Sequence, residues 1–334
     1  LFGFAASLSA QDHALLAIVL FFVARLGAGI AGATIGTAQA VIADSTPPEH
    51  RKHGMAIIGA AFGIGFTFGP LFGFGALHLF RGHLESIGYT ASAFSLIAVI
   101  LALRLLPETR RFAENPPPRR RGLNLTALSV IFTNGIVGPI VLTFFLATLG
   151  FAAFEVTLGL LLKEVMLFAE DTIFLVFAYV GFVLMLTQGF LYRRLAKKWA
   201  EETFMTLGIV LMGIGVGSLA LVCYLAAPGT GANNAILLPI LFAALTSSVI
   251  GFAFLTPSAQ ALVSRRSSET QQGEVLGVNQ SAAALARILG PVFGTVLYKL
   301  TGDHMLPYAF GGVVLLLMLP MMPRIKRAGQ TGTV

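Results

Sequence analysis

Charge is what this sequence has least of. Only 11% of its 334 residues are Asp, Glu, Lys or Arg and 56% are hydrophobic, against about 25% and roughly 45–50% in soluble domains. With a mean hydropathy of +0.84, the chain has too little polar surface to cover a soluble core, which excludes an ordinary water-soluble domain. Cysteine is nearly missing too: Cys223 stands alone, so no intrachain disulfide forms and an oxidising compartment leaves no trace. The six histidines (His13, His50, His53, His78, His83, His304) fall in loops or at the ends of apolar stretches. HExxH, GxSxG and paired acids within an apolar stretch are all lacking, so an integral membrane enzyme has no catalytic set to use. No metal site, cofactor or cleavable signal peptide is expected.

What the sequence does have is long apolar runs bounded by charged or Pro/Gly-rich breaks. Twenty helical residues at about 1.5 Å each cross a hydrocarbon core roughly 30 Å thick. Spans are expected at Ala14–Ile42, Met55–Leu79, Gly88–Leu106, Val137–Leu162, Thr172–Tyr192, Phe204–Leu225, Ala235–Val263, Val275–Leu300 and Pro307–Pro323, with a partial one at Leu1–Ala10. The fold class is therefore all-α, a polytopic membrane protein. Because the chain opens at Leu1 inside an apolar stretch, a fragment of a longer protein is expected.

The net charge of +7 is explained by its placement. One alternate set of loops carries Arg51, Lys52, Arg110, Arg111, Arg119, Arg120, Arg121, Arg193, Arg194, Lys197, Lys198, Arg265, Arg266, Arg324, Lys326 and Arg327, sixteen cations, while the other carries Arg81, Lys163 and, at a border, Lys299. By the positive-inside rule the rich set faces the cytoplasm, which puts the C-terminus there and leaves no need for a nucleic-acid partner. The longest such loop, 107–124, holds PPPRRRG and divides the chain. The run LNLTALSVIF after it is read either as lying on the membrane surface or as extending the next span.

The two halves repeat at a fixed offset. AQAVIA at Ala38–Ala43 matches AQALVS at Ala259–Ser264, and GPLFG at Gly69–Gly73 matches GPVFG at Gly290–Gly294, both 221 residues apart. Ala61, Gly65, Gly69 and Gly73 recur as Ala282, Ala286, Gly290 and Gly294. Four-residue spacing places them on one helix stripe where backbones approach closely; Ala24, Ala28, Gly32, Gly36 and Ala40 make a similar stripe. The second half has six spans from Val137 on, so its counterpart begins before residue 1. Two helices and most of a third are expected to precede the chain, twelve helices in all.

At these residues the chain resembles the major facilitator superfamily, in its twelve-helix drug/proton antiporter branch, from Leu15 to Pro323. The antiporter signature of the family's helix 5, G-x3-G-P-x2-G-G, appears as Gly65, Gly69, Pro70 and Gly73, with Phe74 in place of the last glycine. The helix 4 pattern R-x-x-q-G looks like Arg25-Leu-Gly-Ala28-Gly29, and Leu106-Pro107-Glu108-Thr109 is similar to the family's helix 6 end. The loop Gly189-FLYRRLAKK is similar to the second copy of the gating loop, with Arg193 where the family has an acid and Ala196 for a glycine; Gly189, Arg193, Arg194 and Lys198 are its candidate residues. The resemblance implies two six-helix bundles: the remainder of the N-terminal one at 1–106, a cytoplasmic linker at 107–136, and the C-terminal one at 137–334. It implies a secondary active transporter in the inner membrane, usually monomeric, working on a small-molecule substrate and protons within a lipid bilayer. Export of drugs is favoured by the Gly69–Pro70 signature; a sugar, amino-acid or metabolite carrier on the same fold is the alternative, and a non-transporting scaffold fits the repeat less well.

Three charges sit well within spans: Arg25, Glu155 and Arg287. At mid-membrane an unpaired charge costs about 2.5–3.5 kcal/mol or more, so each calls for a partner or a watery cavity. Glu155 is the sole carboxylate so placed; Asp44 lies at a helix mouth. Helix rise puts Glu155 roughly 12 Å deep and Arg25 and Arg287 roughly 18 Å deep. In the family helices 4, 7 and 10 line the central cavity, which implies that Arg25 and Glu155 face each other, Glu155 taking and releasing the coupling proton and Arg25 tuning it. A structural ion pair is the competing reading. Gln39, Gln188, Thr246, Ser247, Ser248, Asn279 and Gln280 are candidates to line a substrate path or to bond between helices. Phe144, Phe145, Phe151 and Phe154 are read as an aromatic wall or as lipid-facing.

Overall fold

The computed structural model describes residues 13–31, 41, 51–106, 137–226, 234–266, 272–323 and 325–326. Helices account for nearly all of them, and no strand occurs among the described residues. They are α1 (Ala14–Ala31), α2 (Arg51–Leu79), α3 (Glu85–Leu105), α4 (Val137–Leu160), α5 (Glu170–Leu186), α6 (Glu201–Ala226), α7 (Asn234–Arg265), α8 (Gln272–Leu300) and α9 (Leu306–Leu316). Each expected whole span is matched by one of them, with ends shifted by a few residues; the last, Pro307–Pro323, is α-helical only to Leu316 and closes in a short 3-10 turn at Leu319–Met321. The exception is the stretch past Ala31, which lies outside the described residues, as do the 107–136 linker, the LNLTALSVIF run and Asp44. Among the described residues, six helices are long and apolar enough to cross a membrane, and three further apolar helices are shorter.

Helix is the form such a sequence must take, because lipid offers no partner to a backbone N–H or C=O. Several side-chain hydroxyls follow the same rule and turn back onto their own helix: Thr67 donates to the Gly63 carbonyl at 2.9 Å and Thr143 to that of Pro139 at 2.7 Å. Pro70 lies within α2 and Pro291 within α8, and both helices run through them. Two helices loosen into π-helical turns at their ends. α4 continues through Leu161–Val165, and α5 through Thr187–Tyr192 into Arg193–Leu195.

The chain forms two compact units. One comprises Leu1–Arg120 together with Phe174–Gly181, the other Arg121–Ile173 and Phe182–Val334. In the first, α2 ends when Gly82, at φ +85°, donates its N–H to the Leu77 carbonyl at 2.8 Å. That left-handed stop is suited to glycine and turns the chain into α3, whose Phe94 packs against Phe72 with ring centroids 4.7 Å apart. The segment Phe174–Gly181 lies along α2: a Cβ on Gly73 would sit 3.0 Å from the Phe174 ring, and one on Gly181 would collide with the Phe66 carbonyl.

In the second unit, helix pairs close on small residues. Cβ atoms added to Gly290 or Gly294 of α8 would press on Leu149, Ala152 and Ala153 of α4. Gly208 and Gly215 of α6 meet Gly251, Ser248 and Ala244 of α7 in the same way. Between helices in lipid it is close packing, not water exclusion, that holds such faces together. The core is fully buried at Leu158, Leu161, Leu162, Ile209, Met212, Leu219, Leu241 and Leu245. Phe144, Phe151 and Phe154 are also buried, so they face neither lipid nor an open wall: the helix–helix contacts of α4 absorb them.

Candidate functional site

Glu155 stands on α4, four residues past Phe151. The α4–α8 contact places it: Ala152 and Ala153 seat Gly290 and Gly294 of α8, so the α4 turn carrying Glu155 is drawn toward α8. Arg287 lies one turn before Gly290 on α8. Within this unit Arg287 is the charged group that acts electrostatically on Glu155. Both side chains remain exposed on the protein surface of the unit, open to a ligand or proton. Arg25 is also exposed, on α1 of the other unit.

Aromatic and polar contacts fix the surroundings. Phe151 stacks face to face on Phe252 of α7, with centroids 3.8 Å apart and planes 7° from parallel, and Phe154 packs against Phe151 at 5.5 Å. Two residues past Glu155, the Thr157 carbonyl accepts a 2.9 Å hydrogen bond from the Tyr308 hydroxyl of α9. Tyr308 escaped the sequence reading, though a hydroxyl in an apolar run needs a partner and would have flagged it. So did Phe252, for which the sequence offers no signal beyond helical spacing.

The polar path candidates divide. Ser247 donates to the Leu211 carbonyl of α6 at 2.7 Å, a bond between helices; Thr246 and Ser248 turn back to Phe242 and Ala244 at 2.6 and 2.8 Å. Asn279 is fully buried, and its amide has no partner among the described residues. Gln280 is exposed, Gln188 is half-buried in the π-helical turn of α5, and Gln39 lies outside the described residues. Of the signature glycines, Gly73 packs against Phe174, while Gly65 and Gly69 meet nothing within 4 Å among the described residues. Gly189 sits in the π-helical turn of α5, and Arg193, Arg194 and Lys198 are exposed after it. The next basic pair is engaged: Arg265 bonds Glu201 and Arg266 bonds Glu202, each at 2.6 Å. Among the described residues, no three His, Cys, Asp or Glu side chains gather as metal ligands would.

The sequence profile of the Major Facilitator Superfamily matches residues 1–249 and 211–331. The chain belongs to the major facilitator superfamily. It is a multi-pass membrane protein of a transporter family whose members carry small molecules. Among relatives, it is 28% identical over 301 residues to the class E tetracycline resistance protein of Escherichia coli, covering 87% of this chain and 69% of that one. It is 25% identical over 342 residues to major facilitator superfamily domain-containing protein 10 of Mus musculus, covering 93% and 68%. A crystal structure of the human organic anion transporter MFSD10 (TETRAN) superposes with a TM-score of 0.65, covering 96% of this chain and 74% of that one at 24% identity. That structural likeness carries the all-helical major facilitator fold.

Proposed function

We propose that this protein is a proton-coupled exporter of drugs or small organic molecules that works by alternating access, Glu155 carrying the coupling proton. One observation bears most weight: a single intramembrane carboxylate stands in the field of Arg287, a turn away from the stacked Phe151–Phe252 pair. A titratable acid in the field of a cation suits proton exchange, which follows if acid and substrate compete for the same cation. The likeness to tetracycline resistance proteins supports export. On this reading Arg25 joins Arg287 in tuning Glu155, residues 1–106 and 137–334 act as two bundles rocking about 107–136, and the monomer works in the inner membrane with its C-terminus cytoplasmic. Thr246, Ser247, Asn279 and Gln280 border the path. The protein makes and breaks no bonds in its substrate.

A second reading has its own support. Arg25 and Arg287 are intramembrane cations, and the human relative of known structure is described as an organic anion transporter; a carboxylate-bearing metabolite would suit such cations.

Everted vesicles from an efflux-deficient bacterium test the two. Uptake of tetracycline or a cationic dye that collapses with a protonophore is the expected result. If neither compound moves while an organic anion does, the drug reading fails and the metabolite reading takes its place.

A further inference from the structure

Where α5 runs out of its apolar stretch, Gly189, Phe190, Arg193, Arg194 and Lys197 line an open cavity of about 460 Å³. The π-helical turn Thr187–Tyr192 shapes it: the extra residue in the turn brings Gly189 and Phe190 onto the same side as the cations that follow. Such turns are frequent at functional sites. A Cβ at Gly189 would meet nothing within 4 Å among the described residues, so the glycine leaves this side of the cavity open.

The field in the cavity is positive and unanswered. Three cations line it and no acid does. The nearest acids along the chain, Glu201 and Glu202, are already engaged by Arg265 and Arg266. Among the described residues, Arg193, Arg194 and Lys197 form no ion pair. Guanidinium forks match the oxygens of a phosphate. Apolar surface adjoins the cations: Phe190, in the lining, is 65% exposed, and Leu186, one turn earlier on the same helix, is 47% exposed. Aromatic and apolar side chains exposed at the end of a membrane span sit at headgroup depth. A soluble anion has no use for that surface; an anion with acyl chains does.

We propose that this cavity is a binding site for an acidic phospholipid, whose phosphate is held by Arg193, Arg194 and Lys197 and whose chains run along Leu186 and Phe190. The site is independent of the direction and coupling of transport. It gives the degenerate gating loop, which has Arg193 where the family has an acid, a lipid anion in that acid's place. Basic pockets at the edge of membrane helices hold phosphate headgroups in this way.

The test is native mass spectrometry of the purified protein titrated with phosphatidylglycerol or phosphatidylcholine in mixed micelles. The expected result is one tightly retained phosphatidylglycerol and no retained phosphatidylcholine, with retention falling as ionic strength rises. Each cation removed (Arg193→Gln, Arg194→Gln or Lys197→Gln) weakens retention about fivefold, and the triple variant weakens it about a hundredfold. Equal retention of both lipids, salt-independent retention, or a triple variant that retains phosphatidylglycerol as the parent does would each overturn the proposal. If glycerol 3-phosphate or inorganic phosphate binds as tightly as the lipid, the site is one for a soluble phosphate and the lipid claim falls. The wild-type comparison of the two lipids stands even if the triple variant folds poorly.

Discussion

Glu155 and Arg287 come from different helices, and Arg287 comes near enough to act electrostatically on Glu155 because glycine lets those helices pack closely. Removing one member of such a pair leaves the other charge in apolar surroundings, so Arg287→Gln is expected to lower thermal stability in detergent. Adding Glu155→Gln to it should restore part of the loss, with a coupling of about 0.5–3 kcal/mol in a double-mutant cycle; additive effects would mean the two side chains do not interact. Tyr308→Phe removes the bond to the Thr157 carbonyl and should cost about 0.5–1.5 kcal/mol, read as a drop in unfolding temperature. Residue types were the part of the site legible in the sequence: a lone carboxylate in a span is visible to the eye. Its partner within the unit was not. Depth alone ranks Arg25 and Arg287 equally, and only the packing of α8 on α4 brings Arg287 to Glu155.

At the scale of helices, the duplicated stripe reads out differently in its two copies. Gly290 and Gly294 are buried against α4, while of their counterparts a Cβ on Gly69 would meet nothing among the described residues and one on Gly73 would meet the Phe174 ring. Gly290→Val should therefore destabilise by about 1–3 kcal/mol through overpacking. Gly69→Val in the 334-residue chain should stay within about 0.5 kcal/mol. Equal losses in thermal melts of the two variants would contradict the packing described. The apolar runs made the helices legible, since lipid leaves the backbone no alternative. Their π-helical ends were not, because apolar composition is the same in either winding, and the lone Gly189 within Thr187–Tyr192 fits an α-turn as well as a π-turn. Phenylalanine was also ambiguous: in a membrane protein apolar residues suit lipid and core equally, so hydropathy could not tell that Phe144, Phe151 and Phe154 turn inward.

For the whole molecule, charge placement gives a prediction independent of transport. Sixteen loop cations against three lead us to expect an orientation with the C-terminus in the cytoplasm. A phosphatase fused after Val334 should stay inactive, whereas one inserted at Gly82 should be active; the reverse pattern would overturn the orientation. The direction of transport, the coupling ion and the role of Glu155 form the central claim, and proton movement tests it most directly. In proteoliposomes holding the purified protein and an internal pH dye, a tetracycline gradient should drive opposite proton flux. Glu155→Gln should abolish that flux while tetracycline still binds. Proton flux that persists unchanged in Glu155→Gln would contradict the account and leave Glu155 a structural partner of Arg287.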